Sequence, residues 1–150
     1  MATGHWLTNR GKLDLLANKG SAFKIGLMTV QGVAADTQIE VADLNTVTDL
    51  IVTAGCTEAT ATNYARIALA SFTKTEDDAN DRVNIDFADV VWNPLGGATN
   101  NTILGAFIYD ATVDTNDTTR ELVSVDWFTA GVPTNGGSFT YAIADLYRLS

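Results

Sequence analysis

The sequence predicts a mainly β protein, an antiparallel, jelly-roll-like β-sandwich with one or two short N-terminal helices. Three observations carry that expectation. From Asn63 onward, apolar and polar residues alternate in successive segments, which is the period of a half-buried strand. Clusters of Gly, Asn, Asp, Pro and Thr separate those segments and supply turn chemistry. Ile103 to Tyr109 (ILGAFIY) is apolar throughout, as expected of a central strand covered on both faces.

Element by element, Thr8 to Lys19 reads as a short helix. Thr8 or Asn9 can cap its first amides, Leu13, Leu16 and Ala17 form its apolar stripe, and Gly20 suits its C-terminal turn. Gly11 weakens it. In Ser21 to Val30, Phe23, Ile25 and Leu27 face one way and Lys24, Gly26 and Met28 the other, so a strand is expected. Thr37-Gln38-Ile39-Glu40 matches a capping box, and Val41, Leu44, Val47 and Ile51 recur at helical spacing, so a helix is expected near 38–52. Its β-branched residues make it a weak helix former. Ala65, Ile67 and Leu69 share a strand face, as do Val83, Ile85 and Phe87. Val90 to Trp92 extends the second of these strands or follows a bend near Ala88, and further strands are expected over Ile103 to Tyr109, Leu122 to Phe128 and Ser138 to Leu146. Turns are expected at 93–97, 110–119 and 131–137. The organisation is one domain over 1–150: an arm and short helix over 1–20, then a sandwich over 21–150 that includes the helix near 38–52.

A chain of 150 residues is long enough to bury a core, and 46% hydrophobic with 18% charged residues suits a folded protein. The formal net charge of −9 repels phosphate backbones. Arg10, Lys12, Lys19 and Lys24 are too dispersed to form a basic patch, so no nucleic-acid partner is expected. Cys56 is alone, which excludes an intrachain disulfide framework. The opening MATGHWLTNRGK does not read as a secretory signal, and no apolar run approaches the ~20 residues that cross a bilayer. A soluble protein made in a cytoplasm, without a membrane partner, is the expectation.

Candidate chemistry is sparse. Glu76-Asp77-Asp78-Ala79-Asn80-Asp81 has carboxylates but neither the alternate spacing nor the glycine of an EF-hand loop. Asp110, Asp114 and Asp117 in DATVDTND are similar. Two acidic loops that met in space could share a calcium ion; the plainer reading is a pair of solvated turns. One histidine and one cysteine cannot build a closed zinc site, and His5 lies in a terminal segment unsuited to a triad. Gly96-Gly97 and Gly136-Gly137 lack a phosphate-binding fingerprint. An acidic pair for glycoside hydrolysis has only abundance in its favour. Trp92, Trp127, Phe107, Tyr109, Phe139 and Tyr141 fall on expected strands, where packing explains most of them; an exposed aromatic row would instead suit sugar rings. Arg66, inside the apolar YARIALA, reads as a cross-strand partner for an acid such as Asp86. No catalytic residue, cofactor or metal ligand is assigned, and the protein is not expected to be an enzyme.

The run ATNYARIALASF, an acidic turn, DRVNIDFADVVW, a Gly-Asn loop and TILGAFIYDA resembles a group of small tailed-bacteriophage virion proteins. Their strands carry a YxRxxL pattern, matched by Tyr64, Arg66 and Leu69. The I-x-F opening of an I-x-F-x-x-A-x-x-W pattern is matched by Ile85 and Phe87, with Ala88 and Trp92 following at closer spacing than the pattern has. A G-x-x-I/L-Y-D pattern is answered by Gly105, Ile108, Tyr109 and Asp110. NRGKLDLLANKGSAFKIGLMT also looks like their N-terminal helix and strand. The likeness spans most of the chain, and its motifs are structural.

What the resemblance implies is a capsid decoration (cement) protein or a related head or tail component, assembled in the bacterial cytoplasm and seated on the outer capsid surface. Its partners would be the major capsid protein and further copies of itself, a trimer being the expected symmetry. The terminal His5, Trp6 and Leu7 either dock on the capsid or a neighbouring subunit, or pack on their own sandwich. The insertion-like turn with Glu76, Asp77, Asp78 and Asp81 is a second candidate contact. The alternative within the virion is a tail-fibre or host-glycan-binding module.

Overall fold

The computed structural model describes residues 4–11, 22–112, 115–143 and 147–149. In chain order the elements begin with β1 (Gly4–Leu7), β2 (Phe23–Val30) and helix α1 (Gln38–Asp43). Two-residue strands β3 (Thr57–Glu58) and β4 (Ile67–Ala68) follow, then β5 (Thr73–Asp77) and β6 (Arg82–Asp86). The remainder comprises β7 (Val90–Leu95), β8 (Thr102–Asp110), β9 (Glu121–Pro133), β10 (Gly137–Tyr141) and β11 (Tyr147–Leu149).

The main sheet runs β1-β9-β8-β2-β3, with β4 also paired to β2. All of its pairings are antiparallel. Two small antiparallel sheets, β11-β6-β5 and β10-β7, form the opposing layer of a sandwich.

Apolar alternation builds a core on each face of the main sheet. Toward the small sheets lie Phe23, Ile25, Leu27, Ile108 and Val123, packed with Ile85, Phe87 and Trp92. Toward the other face lie Phe107, Tyr109, Leu122, Val125 and Trp127, covered by Val41, Val47 and Leu50. Strand β8 is therefore buried from both sides, as its uninterrupted apolar sequence requires. Two tryptophans bond across layers: Trp92 Nε1 donates to the Ala65 carbonyl (2.8 Å) and Trp127 Nε1 to that of Ala35 (2.8 Å). Each buries a large ring without stranding its one donor.

Strand β9 changes face partway. Ile108 pairs with Ser124 but Tyr109 pairs with Leu122, so Val123 is an extra residue. It packs in the first core, while Leu122 and Val125 pack in the second. This is the signature of a β-bulge. Thr8, fully buried, is fixed at the same place. Its amide donates to the Val123 carbonyl (3.0 Å) and its hydroxyl to that of Leu122 (2.5 Å). The same hydroxyl accepts from the Gly11 amide (2.7 Å), so Thr8 caps a turn that is helical over residues 9–11. Gly11 has a steric purpose there: a Cβ would lie 2.1 Å from the Val123 oxygen. The rest of the helix expected to Lys19 lies outside the described residues.

Several expectations need correcting. The capping box holds, with Thr37 and Glu40 bonding reciprocally, but α1 ends at Asp43. The chain then straightens, because Thr46 bridges to Glu121 and the Leu122 amide donates to the Asn45 carbonyl (2.9 Å). A second turn, of π type, spans Asp49–Thr53. The Asp49 carboxylate accepts from the Thr46 amide (2.9 Å), and the Thr46 hydroxyl accepts from the Asp49 amide (3.2 Å). One expected helix is thus two short pieces pinned to β9. Around Asn63–Leu69, only Ile67 and Ala68 join a strand. Strand β7 runs on to Leu95, and the expected turn at 131–137 narrows because β9 continues to Pro133. The expected final strand is β10 alone, ending at Tyr141; residues 144–146 lie outside the description.

Replacing Ile85, which seals a small sheet onto the main one, tests the layering. Ile85→Ala should cost about 2–5 kcal/mol, whereas Val91→Ala, 48% exposed, should change stability by no more than about 0.5 kcal/mol. Urea unfolding of both variants is the check; equal effects would contradict the arrangement.

Candidate functional site

The most elaborate polar construction in the described residues forms where β2 lacks a full neighbouring strand. On that edge β4 pairs with Lys24 and Ile25, and β3 with Met28 and Val30. The Leu27 amide between them would be unpaired, a costly state in a core. The Tyr64 hydroxyl accepts from it (2.9 Å) and donates to Glu58 Oε1 (2.7 Å). Gly26 makes room, since a Cβ there would lie 2.9 Å from the Tyr64 oxygen and 2.4 Å from the Phe107 ring.

Glu58 also receives Arg66, through Nε to Oε1 (2.8 Å) and Nη2 to Oε2 (2.7 Å). The other side of the same guanidinium grips Asp117, at 2.7 Å and 3.0 Å. Its Cζ lies 5.2 Å from the ring centres of both Phe107 and Tyr109. Arg120 donates to Asp117 (2.6 Å) and approaches the Tyr109 ring. Arg66 thus joins β3, the approach to β4, the β8–β9 connection and the second core. Asp86 is not its partner, as the sequence suggested; that carboxylate accepts from the adjacent Phe87 amide (2.9 Å).

Burial opposes the charge on Arg66, but the hydrogen bonds of Glu58 and Asp117 prevail and hold the guanidinium protonated well beyond its ordinary range. Arg66, against the opposing effect of burial, keeps the Asp117 carboxyl below the usual carboxylate range, with Arg120 assisting. Burial, then Glu58, pushes the Tyr64 hydroxyl far above its ordinary value. Every shift stabilises the form already engaged. A general acid or base needs a proton it can release near the working pH, so this cluster is built as a clamp.

The acidic stretch is a hairpin connection, with Glu76 and Asp77 on β5 and a 3-10 turn over Asp78–Asn80. Asp81 is left-handed, at φ 50°. Asp77 accepts from Asn80 (3.0 Å) and from Arg82 (2.7 Å), and these bonds hold it below the usual carboxylate range. Glu76, Asp78 and Asp81 line an open depression of about 330 Å³ together with Arg82 and Val83. Arg82 thus places a positive charge among the carboxylates. Among the described residues, no three His, Cys, Asp or Glu side chains converge as a metal site would need; Asp114 lies outside them.

The terminal residues form β1, where the backbone of His5 is in register with Asp126, Trp6 with Val125 and Leu7 with Ser124. Leu7 is buried in the first core, and Trp6 is half-buried against the second. The arm therefore serves its own sheet. Of the aromatic residues flagged in the sequence, Trp92, Trp127, Phe107, Tyr109 and Tyr141 are buried, and half-buried Phe139 contacts Trp92 and stacks on Phe128. Cys56 is buried too, its thiol pushed up by burial, the opposite of an activated nucleophile.

Sequence reading singled out Arg66 but missed its partners. One signal was available: Glu58 is the sole charged residue between Asp49 and Arg66. Comparison with known protein families, curated proteins and solved structures finds no match to the chain.

The clamp predicts two outcomes. Arg66→Lys keeps the charge but loses the two-sided fork, and should cost about 1–3 kcal/mol in urea unfolding. Because the Asp117 pKa is depressed in the folded state, its contribution is present above the unfolded carboxylate value and disappears as pH falls through the folded one. Stability should therefore decline below about pH 4, and Asp117→Asn should make that decline shallower; an unchanged acid limb would remove Asp117 from the account.

Proposed function

We propose that this protein is a decoration protein of a tailed-bacteriophage head, which binds the assembled lattice and stabilises it by bridging capsid subunits. One observation carries the reading. The residues on which the phage resemblance rests are those that hold the layers together: Tyr64 patches β2, Arg66 clamps two carboxylates, and Trp92 and Tyr109 fill the two cores. A protein whose distinctive residues are spent on internal cohesion works through its outer surface.

In this reading the capsid contacts are the exposed acidic tip, with Glu76, Asp78 and Asp81, and the β1 side of the main sheet. The tip joins β5 to β6 at one end of their sheet, and its exposed charges suit a basic patch on a capsid subunit. A contact of this kind weakens as salt rises.

The test is co-sedimentation of the purified protein with heads of the encoding phage that lack it, followed by localisation in a density map of the intact particle. Saturable binding at lattice positions is expected. Asp78→Lys with Asp81→Lys should weaken it by at least about tenfold, the scale of like-charge juxtaposition. A protein that ignores heads and is absent from the particle would refute the proposal.

A further inference from the structure

Charge is distributed unevenly along this chain. Residues 59–65, 90–109 and 127–144 contain no Asp, Glu, Lys, Arg or His. At the chain-wide charged fraction of 18%, these forty-five residues would carry about eight charges.

The fold gathers loops from all three stretches at one end of the main sheet, where β8 begins and β9 finishes. Hydrogen bonds lock them together. The Thr62 amide donates to the Thr99 carbonyl (2.9 Å) and the Gly96 amide to the Thr62 carbonyl (2.8 Å). Thr134 and Asn101 exchange bonds, the Asn101 amide to the Thr134 hydroxyl and the Thr134 amide to the Asn101 carbonyl, both 2.8 Å. The Gly136 amide donates to the Leu95 carbonyl (2.8 Å), and the Asn101 side chain accepts from the Thr60 amide (2.7 Å). Ala98, Thr99, Asn135 and Ser138 are exposed on this surface, and Val132 beside it is 40% exposed. The opposite end of β8 and β9 differs: Asp110, Asp117, Arg120 and Glu121 lie there.

We propose that this surface of uncharged loops is the face through which copies of the chain associate with one another. Each copy carries a net −9, so two copies repel wherever acidic surfaces approach. An uncharged face lets them meet without stranding like charges, and interface centres are depleted of charged residues. A basic partner would instead find its complement on the acidic surface. The loops are fixed by their own hydrogen bonds, so docking orders little further backbone. A standard interface takes roughly 20–30 residues from each side, and residues 60–63, 93–102 and 129–138 span that number.

This inference rests on the charge distribution and deepens the decoration reading by naming its self-contact face. It also fixes the sign of a salt effect. Association across an uncharged face between net-negative bodies strengthens as salt screens their repulsion, whereas a contact between opposite charges weakens.

The test is sedimentation velocity of the full chain without phage particles, from about 1 µM to 1 mM and from about 20 to 500 mM salt. Concentration-dependent association that tightens with salt is expected. Ala98→Glu with Ser138→Glu should weaken it by at least about tenfold, while the charge-neutral Ala98→Ser leaves it intact. Circular dichroism of each variant confirms that the fold is retained. A protein monomeric throughout, association that weakens with salt, or association unmoved by the two glutamates would each overturn the proposal. So would glycan binding by a monomer through this face. Head binding by a strictly monomeric protein would sink the self-contact face and leave the decoration reading standing; self-association without head binding would do the reverse.

Discussion

A central strand buried on both faces constrains the rest of this molecule. Successive side chains of β8 point into different cores, so both faces of the main sheet are covered along most of that strand. Covering one face takes two small sheets, and covering the other takes two helical pieces too short to be stable alone. Each layer depends on the sheet for its structure, and the sheet depends on both for its burial. Tyr64, Arg66 and the carboxylates they bond accordingly sit at strand ends and edges.

Arg66 shows how an edge is closed under that constraint. Taking a guanidinium partly out of water is unfavourable unless its donors are matched. Here both sides of the planar group meet carboxylates and its face covers two aromatic rings, so charge, hydrogen bonding and packing are satisfied together. The carboxylates come from segments far apart in sequence, so one side chain fixes the relative position of β3 and the β8–β9 connection. Tyr64 completes the closure with a hydroxyl in place of a missing strand.

Much of this was legible in the residues because strand periodicity is local information. The faces of β2 and of Val83, Ile85 and Phe87, the doubly covered β8 and the Thr37–Glu40 box could be read directly. What escaped depended on distant partners. The break after Asp43 arises because Thr46 pairs with a strand seventy-five residues later, although Thr46-Val47-Thr48-Asp49 is itself a capping signal. Cross-strand pairing offers Asp86 as the acid for Arg66, whereas its acids come from β3 and from beyond β8. For Leu7 the residues leave docking and packing on its own sandwich equally open, since a four-residue strand has too short a period to decide between them. The charge-free stretches were visible as composition, but only folding shows that their loops share one surface.

The extra residue in β9 has an evolutionary corollary. Upstream of Val123 the strand counts its faces in one phase, and from there to Trp127 in the other. Losing that single codon would exchange the side chains offered to the two cores from Ser124 to Trp127, taking the Asp126 carboxylate away from the Tyr141 hydroxyl that donates to it. Gene lengths among descendants should thus drift in the loops while this stretch keeps its reading of two phases.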